Sequence, residues 1–391
     1  MTELLPVNPW LAATEASPIA ETRGWVAGRT FPADQPLINL SQAVPGYAPH
    51  PDLIEHLRQR LGDPAIHRYI DTLGDARLRE AYAAHLSRFY GSPIRPANVA
   101  ITAGCNQAFC LAAMAIAKAG DQVILPRPHY FNHDMWMRMQ GIDVVPLDFR
   151  PGSGAVPAVE DAAALIGPRT RAIVLVTPNN PTGAIYPPAL IRGFYELAQR
   201  HGIALILDET YKDFIPGGAR PHELFSDPAW DRTVVHLYSF SKVFALTGYR
   251  VGALTAGPKV VSEIEKALDC ISICAPRLAQ EAALFGLANL EPWVRSNIEA
   301  LGARAAAFRK GLERANRWRL VSLGAYFAYV EHPIEGESAV TVARRLADEA
   351  NLLTIPGTMF GQGQERFIRF AFANVADADV PKVFDRLAGW H

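Results

Sequence analysis

Short apolar runs alternate with longer segments of helical periodicity between residue 97 and about residue 240. Several of these runs are apolar on both faces, which is the pattern of parallel strands buried between two layers of helices. The runs cover residues 99–102, 122–125, 143–147, 172–176, 203–207 and 234–237. The pattern therefore predicts an α/β fold, in which a three-layer α/β/α domain surrounds a mostly parallel, doubly wound sheet.

The segments on either side of this region predict two further parts. Residues 1–45 are rich in Pro and Ala and poorly periodic, so we expect an N-terminal arm with one short helix that joins the small domain. After residue 280, helical segments alternate with short strands, which predicts a smaller α+β domain over residues 281–391. Residues 46–280 then form the large domain, a division that suits a chain of 391 residues.

Composition and charge limit the possible partners. The net charge of −1 offers no field for nucleic acid or for an anionic membrane. No apolar run approaches the length of a membrane span, and residues 1–10 lack the basic and apolar regions of a signal peptide. The four cysteines show no C-x-x-C spacing. We expect a cytoplasmic protein whose partners are small molecules or other folded protein.

Side chains that can hold a cofactor follow the predicted strands, at the edge where open α/β sheets bind ligands. Backbone N–H groups at a helix start offer an anion site, and an aromatic ring can stack on a planar ligand. Taken singly, each residue has an ordinary explanation as a turn, a core aromatic or a helix cap, but together at one edge they favour a cofactor site. They are Gly104, Cys105, Asn106, Tyr130, Asn180, Asp208 and Tyr211.

The last apolar run leads into a lysine with hydroxyls and a second cation nearby. Ser239 and Ser241 stand just before Lys242, and Arg250 follows eight residues later. Hydroxyls and a guanidinium can bind a phosphate, and a lysine near other cationic charge in a partly dry cleft can act as a nucleophilic amine. These are the requirements of pyridoxal 5′-phosphate (PLP) chemistry, and a strand end followed by a basic loop is the alternative.

Other motifs give weaker signals. His129 and His133 lie four residues apart beside Asp134 and could hold a metal on a helix, but without a third ligand we expect a polar loop instead. Neither G-x-x-x-x-G-K-[ST] nor G-x-G-x-x-G occurs, so nothing indicates a nucleotide-binding loop.

Three motifs in fixed order resemble those of the class I/II aminotransferases, which are fold type I PLP-dependent enzymes. They are Asn-Asn-Pro-Thr-Gly at 179–183, Asp-Glu-x-Tyr at 208–211, and Ser-x-Ser-Lys followed by Gly-Tyr-Arg-Val-Gly within 239–252. The resemblance runs from about residue 38 to residue 373. It implies a transaminase that moves an amino group between an L-amino acid and a 2-oxo acid by a ping-pong mechanism through an internal aldimine.

The resemblance also implies roles for the residues around the cofactor ring. Lys242 would hold PLP and then shuttle the proton of the substrate Cα. Asp208 would pair with the pyridine nitrogen and keep it protonated. Tyr211 and Asn180 would hydrogen-bond the phenolic oxygen, and Tyr130 would stack on the ring.

The phosphate group has its own set of implied ligands. Arg250, Ser239 and the backbone of residues 104–106 would hold it, with Ser241 as a further helper. Tyr69 resembles the tyrosine that reaches the phosphate of the neighbouring subunit. We therefore expect a homodimer with shared active sites.

Arg369 is the candidate for the substrate carboxylate. In the predicted strand, Ile368, Phe370 and Phe372 share one face and Arg369 stands on the other. A guanidinium within so apolar a strand needs an anion, and the resemblance supplies the α-carboxylate of the substrate. An arginine that snorkels to solvent is the alternative.

Two positions depart from the family pattern. Ala43 stands where many relatives have Gly in a loop beside the substrate, so its methyl group would narrow the pocket. Asp269 aligns roughly with an arginine that grips the distal carboxylate in dicarboxylate-specific members, and an acid cannot hold another acid. We expect aspartate to be a poor donor and a neutral, aromatic or cationic side chain to be preferred.

Two other functions use parts of the same pattern. Some fold type I relatives use the same lysine, aspartate and tyrosine for β-elimination, so a C–S β-lyase acting on cysteine conjugates or cystathionine is the alternative enzyme. A PLP-sensing regulator would need a DNA-binding module, and residues 1–45 show no helix-turn-helix pattern.

Overall fold

The computed structural model describes residues 5–390. Within that range the α-helices are α1 (Pro9–Ala12), α2 (Pro18–Val26), α3 (Pro51–Arg60), α4 (Ala76–Tyr90), α5 (Cys105–Ile116), α6 (Phe131–Met139), α7 (Val159–Leu165), α8 (Pro188–His201), α9 (Phe240–Val243), α10 (Pro258–Ser272), α11 (Arg277–Asn289), α12 (Glu291–Arg314), α13 (Ala339–Glu349) and α14 (Val380–Ala388). None of these helices is long and apolar enough to cross a membrane.

The β-strands of the same range are β1 (Ile38–Asn39), β2 (Val99–Thr102), β3 (Gln122–Arg127), β4 (Asp143–Asp148), β5 (Thr170–Val176), β6 (Ala204–Asp208), β7 (Val234–Ser239), β8 (Gly252–Thr255), β9 (Arg319–Gly324), β10 (Phe327–Glu331), β11 (Leu352–Leu353), β12 (Ile355–Pro356) and β13 (Phe367–Ala371).

The large sheet has seven strands in the order β2-β8-β7-β6-β5-β3-β4. The strands from β3 to β7 run parallel, whereas β8 is antiparallel to both of its neighbours. Buried clusters of aliphatic and aromatic side chains fill the space between the sheet and the helices. All six apolar runs are strands of this sheet, which confirms the mostly parallel α/β fold.

The differences from the predicted elements lie at their ends and in one additional strand. β6 extends to Asp208, which pairs in register with Val176 at the end of β5. α5 begins at Cys105, directly after Gly104 with φ of 84°. β8 is absent from the predicted set because it begins with Gly252, and glycine is a weak strand signal.

A second, antiparallel sheet of four strands has the order β12-β13-β10-β9. In β13, Arg369 pairs with Tyr329 of β10. β1 pairs in parallel with β11, which ties the N-terminal arm to the C-terminal third of the chain. The arm contains two helices, α1 and α2, where the sequence predicts one, and each has a proline in its first turn. The domain boundaries near residues 45 and 280 stay a prediction.

Candidate active site

A cavity of about 270 Å³ lies where the carboxyl ends of β5, β6 and β7 meet the N-terminus of α5. We call it the central cavity. Its position is the one expected for a ligand site in an open α/β sheet. The residues predicted from the sequence that line it are Ala43, Cys105, Asn106, Tyr130, Asn180, Asp208, Tyr211, Ser239, Lys242, Arg250 and Arg369.

Three predicted residues do not line the central cavity. Gly104 caps the N-terminus of α5 just behind it. Ser241 is buried, and its Oγ has no hydrogen-bond partner in the described chain. The Tyr69 side chain is 77% exposed, on the surface of this chain.

Lys242 lies in α9, directly after β7. Its Nζ donates a hydrogen bond to the backbone carbonyl oxygen of Ala43 at 2.7 Å. Burial lowers the pKa of Lys242 to about 8, and the charges of Arg250 and Arg369 act in the same direction. An appreciable share of this amine is therefore neutral and nucleophilic near physiological pH.

Asp208 has polar contacts on both of its carboxylate oxygens. Oδ2 lies 3.3 Å from Nε2 of His133, while Oδ1 accepts from the backbone N–H of Thr210 at 3.0 Å and from the thiol of Cys105 at 3.6 Å. Burial opposes ionisation, but the close contact and charge of His133 and the hydrogen bonds from Thr210 outweigh it, and the pKa of Asp208 is lowered. Asp208 is thus a buried, ionised acceptor.

The contact between His133 and Asp208 is not predicted from the sequence. The segment around it is the helix α6, so the predicted polar loop is wrong. The ring of His133 stacks on Phe109 with 3.8 Å between centroids, and residues 5–390 contain no group of three potential metal ligands. The sequence does carry one signal for the position of His133. It stands three residues after Tyr130, a candidate ring-stacking residue, and this spacing puts two side chains on one face of a helix.

Arg369 is only 2% exposed, so it does not snorkel to solvent. Its Nη1 donates to Oδ1 of Asn180 at 3.0 Å, and its Nη2 donates to the carbonyl oxygen of Ser41. The guanidinium carbon lies 5.2 Å from the ring centre of Phe327 and 4.9 Å from that of Phe360. Burial lowers the pKa of Arg369 to about 10, which leaves it charged at neutral pH. The site can therefore bind a carboxylate.

Two glycines let Arg250 approach the N-terminus of α5. A Cβ atom on Gly104 would lie 2.3 Å from Nη2 of Arg250, and one on Gly252 would lie 2.7 Å from the backbone nitrogen of Cys105. Arg250 itself has φ of 58°, which is uncommon for a residue with a side chain. A guanidinium and a helix N-terminus therefore converge at this end of the cavity, where they can hold a phosphate.

Two tyrosines complete the polar lining. Burial raises the pKa of Tyr211 well above its ordinary value, so its hydroxyl is a hydrogen-bond donor at physiological pH. The Tyr130 hydroxyl donates to Oδ1 of Asn106 at 3.3 Å, which holds the ring beside the cavity.

The remaining wall of the central cavity is mostly apolar. Ile19 comes from α2, Val44 from the loop beside Ala43, and Phe131 from the start of α6. The sequence gives no signal for Ile19, since only the tertiary fold brings α2 to the sheet edge.

The fold places a buried lysine with a lowered pKa, an ionised aspartate and groups that can hold an anion around one cavity. A family model described as aminotransferase class I and II matches residues 35–387, and the chain belongs to that family. It is an aminotransferase, and this class of enzyme depends on PLP.

Individual relatives of the chain are also named as aminotransferases. An aromatic aminotransferase, ISS1, from Arabidopsis thaliana is 25% identical over 96% of this chain and 93% of its own length. An aspartate/prephenate aminotransferase from Thermus thermophilus is 31% identical over 82% of each chain. The solved structure of aspartate aminotransferase from Thermus thermophilus with maleate has a TM-score of 0.90 at 26% identity and covers 98% of this chain and 99% of that one. These similarities confirm the PLP fold type I architecture.

Proposed function

We propose that the chain binds PLP in the central cavity and transfers an amino group from an L-amino acid with a neutral, aromatic or cationic side chain to a 2-oxo acid. The observation that carries the proposal is the placement of Lys242 and Asp208 in one cavity. Lys242 has its pKa lowered and Asp208 keeps its charge. A free amine and a buried carboxylate are what PLP-dependent transamination requires of a protein.

The residues of the central cavity fit PLP. Arg250 and the N-terminus of α5 suit the phosphate, because a side chain at Gly104 would fill the place that the guanidinium occupies. Asp208 can accept from the pyridine N–H, and Tyr130 offers a ring face. When bound, PLP supplies the electron sink that stabilises negative charge at the substrate Cα.

The protein's own groups then perform the proton transfers and the orientation. The Nζ of Lys242 would take the proton from the substrate Cα and later give it back, since Lys242 is the only lysine that lines the central cavity in the described chain. Arg369 holds the substrate carboxylate through its guanidinium, which fixes the direction of the Cα–H bond. The ionised carboxylate of Asp208 would accept a hydrogen bond from the pyridine N–H of the bound cofactor.

The lining of the central cavity argues against aspartate as the donor. The only cations that line it in the described chain are Lys242, Arg250 and Arg369, and each has a role already. A second carboxylate would face Ile19 and Phe131 without a further cation to pair with it. Asp269 is exposed on α10, outside the central cavity of its own chain. Among the relatives, the Arabidopsis protein is named for aromatic and the Thermus protein for aspartate and prephenate substrates.

A homodimer in the cytoplasm completes the proposal. Tyr69 is a large exposed aromatic, which supports a role for it in the neighbouring subunit. The four cysteines are free, as suits a reducing compartment.

The near-ultraviolet to visible spectrum of the PLP-loaded protein tests the donor class. Single amino acids are added without any oxo acid, and we expect neutral and aromatic ones to convert the cofactor to its amine form while aspartate does so at least about tenfold more slowly. Equal rates for aspartate and neutral amino acids would contradict this donor class. Release of pyruvate and thiol from cysteine conjugates, with the visible band unchanged, would show the C–S lyase instead.

Replacing Arg369 by lysine should raise KM for amino and oxo acids and lower kcat/KM by about a hundredfold, because a point charge cannot replace a buried, bidentate guanidinium. PLP affinity should stay unchanged. Steady-state kinetics and cofactor titration measure both quantities. Arg309→Lys, on an exposed arginine, is the matched control. An Arg369→Lys variant with normal KM would remove the carboxylate role from Arg369.

A further inference from the structure

A second cavity, of about 490 Å³, lies beside the central cavity. It is bounded by α2 with the turn before it, by α6, and by the turn at Gly357–Phe360 that precedes β13. Phe131 lines both cavities, so the two share a wall. We call this second chamber the arm cavity, and the polar and charged residues of its lining that matter here are Glu15, Glu21, His129, Asp134, Arg138 and Thr358.

Three buried polar atoms of this lining have no hydrogen-bond partner within residues 5–390. They are Nδ1 of His129, Oδ1 of Asp134 and Oγ1 of Thr358. His129 is only 8% exposed, and its Nε2 lies 3.9 Å from Asp134 Oδ1, too far for a hydrogen bond. Buried polar groups are nearly always paired, so three unpaired atoms around one cavity indicate a bound ligand.

The chemistry of these three atoms favours a ligand that donates hydrogen bonds. Burial lowers the pKa of His129 to about 4, so its imidazole is neutral at pH 7 and has a lone pair to offer. The carboxylate oxygen of Asp134 only accepts, and the hydroxyl of Thr358 can accept as well. All three atoms can therefore receive N–H groups.

The charges around the arm cavity favour a cation. Arg127 is fixed by two hydrogen bonds of 2.7 Å to Asp148. Arg138 is fixed at 2.7 Å by the other carboxylate oxygen of Asp134. Each guanidinium is therefore already paired with a carboxylate. The lining carboxylates that form no ion pair in the described chain are Glu15 and Glu21.

We propose that the arm cavity binds an organic cation, an ammonium or guanidinium group whose N–H donors reach Asp134, His129 and Thr358. The cation has two possible sources. It is either a separate small molecule or the side chain of a cationic amino donor that extends past Phe131 from the central cavity, and only this second source rests on the proposed function.

A ligand at this position would connect two structural elements that carry active-site residues. Asp134 follows His133 on α6, and His133 contacts Asp208. Thr358 belongs to the turn that leads into the strand of Arg369. The cation would therefore link the elements that carry the pyridine-binding and carboxylate-binding residues.

Calorimetric titration of the PLP-loaded protein with ethylguanidinium tests the cation site, with ethylurea as the neutral ligand of similar shape. We expect ethylguanidinium to bind, ethylurea to bind at least about tenfold more weakly, and Asp134→Asn to weaken ethylguanidinium about tenfold. Glu21→Gln, at the exposed rim, should weaken it by a factor of about two to five. Glu299→Gln, on an exposed glutamate of α12, is the control and should change nothing.

The half-reactions with L-arginine and with its neutral analogue L-citrulline distinguish the two sources. If the cation is the donor side chain, Asp134→Asn should slow arginine about tenfold and leave citrulline unchanged. If it is a separate molecule, the variant should lose only ethylguanidinium binding.

Equal ethylguanidinium affinity in the wild type and in both Asp134→Asn and Glu21→Gln would overturn the cation site. A site that binds ethylguanidinium in a protein that converts no amino acid would instead reject the proposed function and keep the cation site. Matching melting temperatures of the variants show that a lost affinity is not a loss of folding.

Discussion

Replacing Lys242 by alanine is expected to lower kcat for transamination by about ten-thousandfold, because the variant loses both the nucleophile and the proton-transfer group. The side chain is buried and its Nζ contacts only the carbonyl oxygen of Ala43 by hydrogen bond, so its removal should leave the fold intact. Single-turnover conversion of a neutral amino acid measures the effect.

A free amine separates the chemical role of Lys242 from a structural one. Methylamine should restore part of the rate of Lys242→Ala, since it can enter the central cavity and accept the Cα proton. Lys266→Ala, on an exposed lysine paired with Glu263, should keep the full rate. A Lys242→Ala variant with more than about a hundredth of the normal rate would assign the proton transfer to another group.

Replacing Asp208 by asparagine should lower kcat by about a thousandfold. The amide keeps the size of the side chain but lacks the negative charge that holds a proton on the pyridine nitrogen. The electron sink then weakens, while Arg250 and the N-terminus of α5 should still bind the phosphate. Stopped-flow spectra of the half-reaction and a PLP titration measure the two effects separately.

The neighbours of Asp208 keep its carboxylate ionised, so the substitution by asparagine removes a negative charge and not only a hydrogen-bond acceptor. His133 and Thr210 hold the carboxylate in place and keep its pKa low. Asp34→Asn, on an exposed aspartate of the arm, is the matched control. If Asp208→Asn kept kcat within tenfold of the wild type, the buried charge would not be the source of catalysis.

The sequence predicts the large sheet and the polar residues of the central cavity for the same physical reason. Parallel strands are apolar and buried, so they are visible as runs, and the residues that follow them must meet at one edge. Lys242, Asp208 and Asn180 follow such runs. The structure brings them to one cavity.

The sequence fails where a contact depends on how separate elements pack. His133 is ambiguous between loop and helix until α6 is seen to pack on Phe109. Ile19 reaches the cavity only because the tertiary fold brings α2 of the arm to the sheet edge. Asp269 is exposed on α10 of its own chain, so its alignment with a substrate-binding position stays a prediction that a single chain does not test.

Reduction of the PLP-loaded protein with borohydride, followed by proteolysis and mass spectrometry, tests the central claim most directly. Lys212 is an internal comparison, because it is also buried but lies in an ion pair with Asp213 at 2.9 Å. The account predicts a pyridoxyl group on Lys242 and none on Lys212. A pyridoxyl group on Lys212, or no modified lysine in a protein that retains PLP, would contradict it.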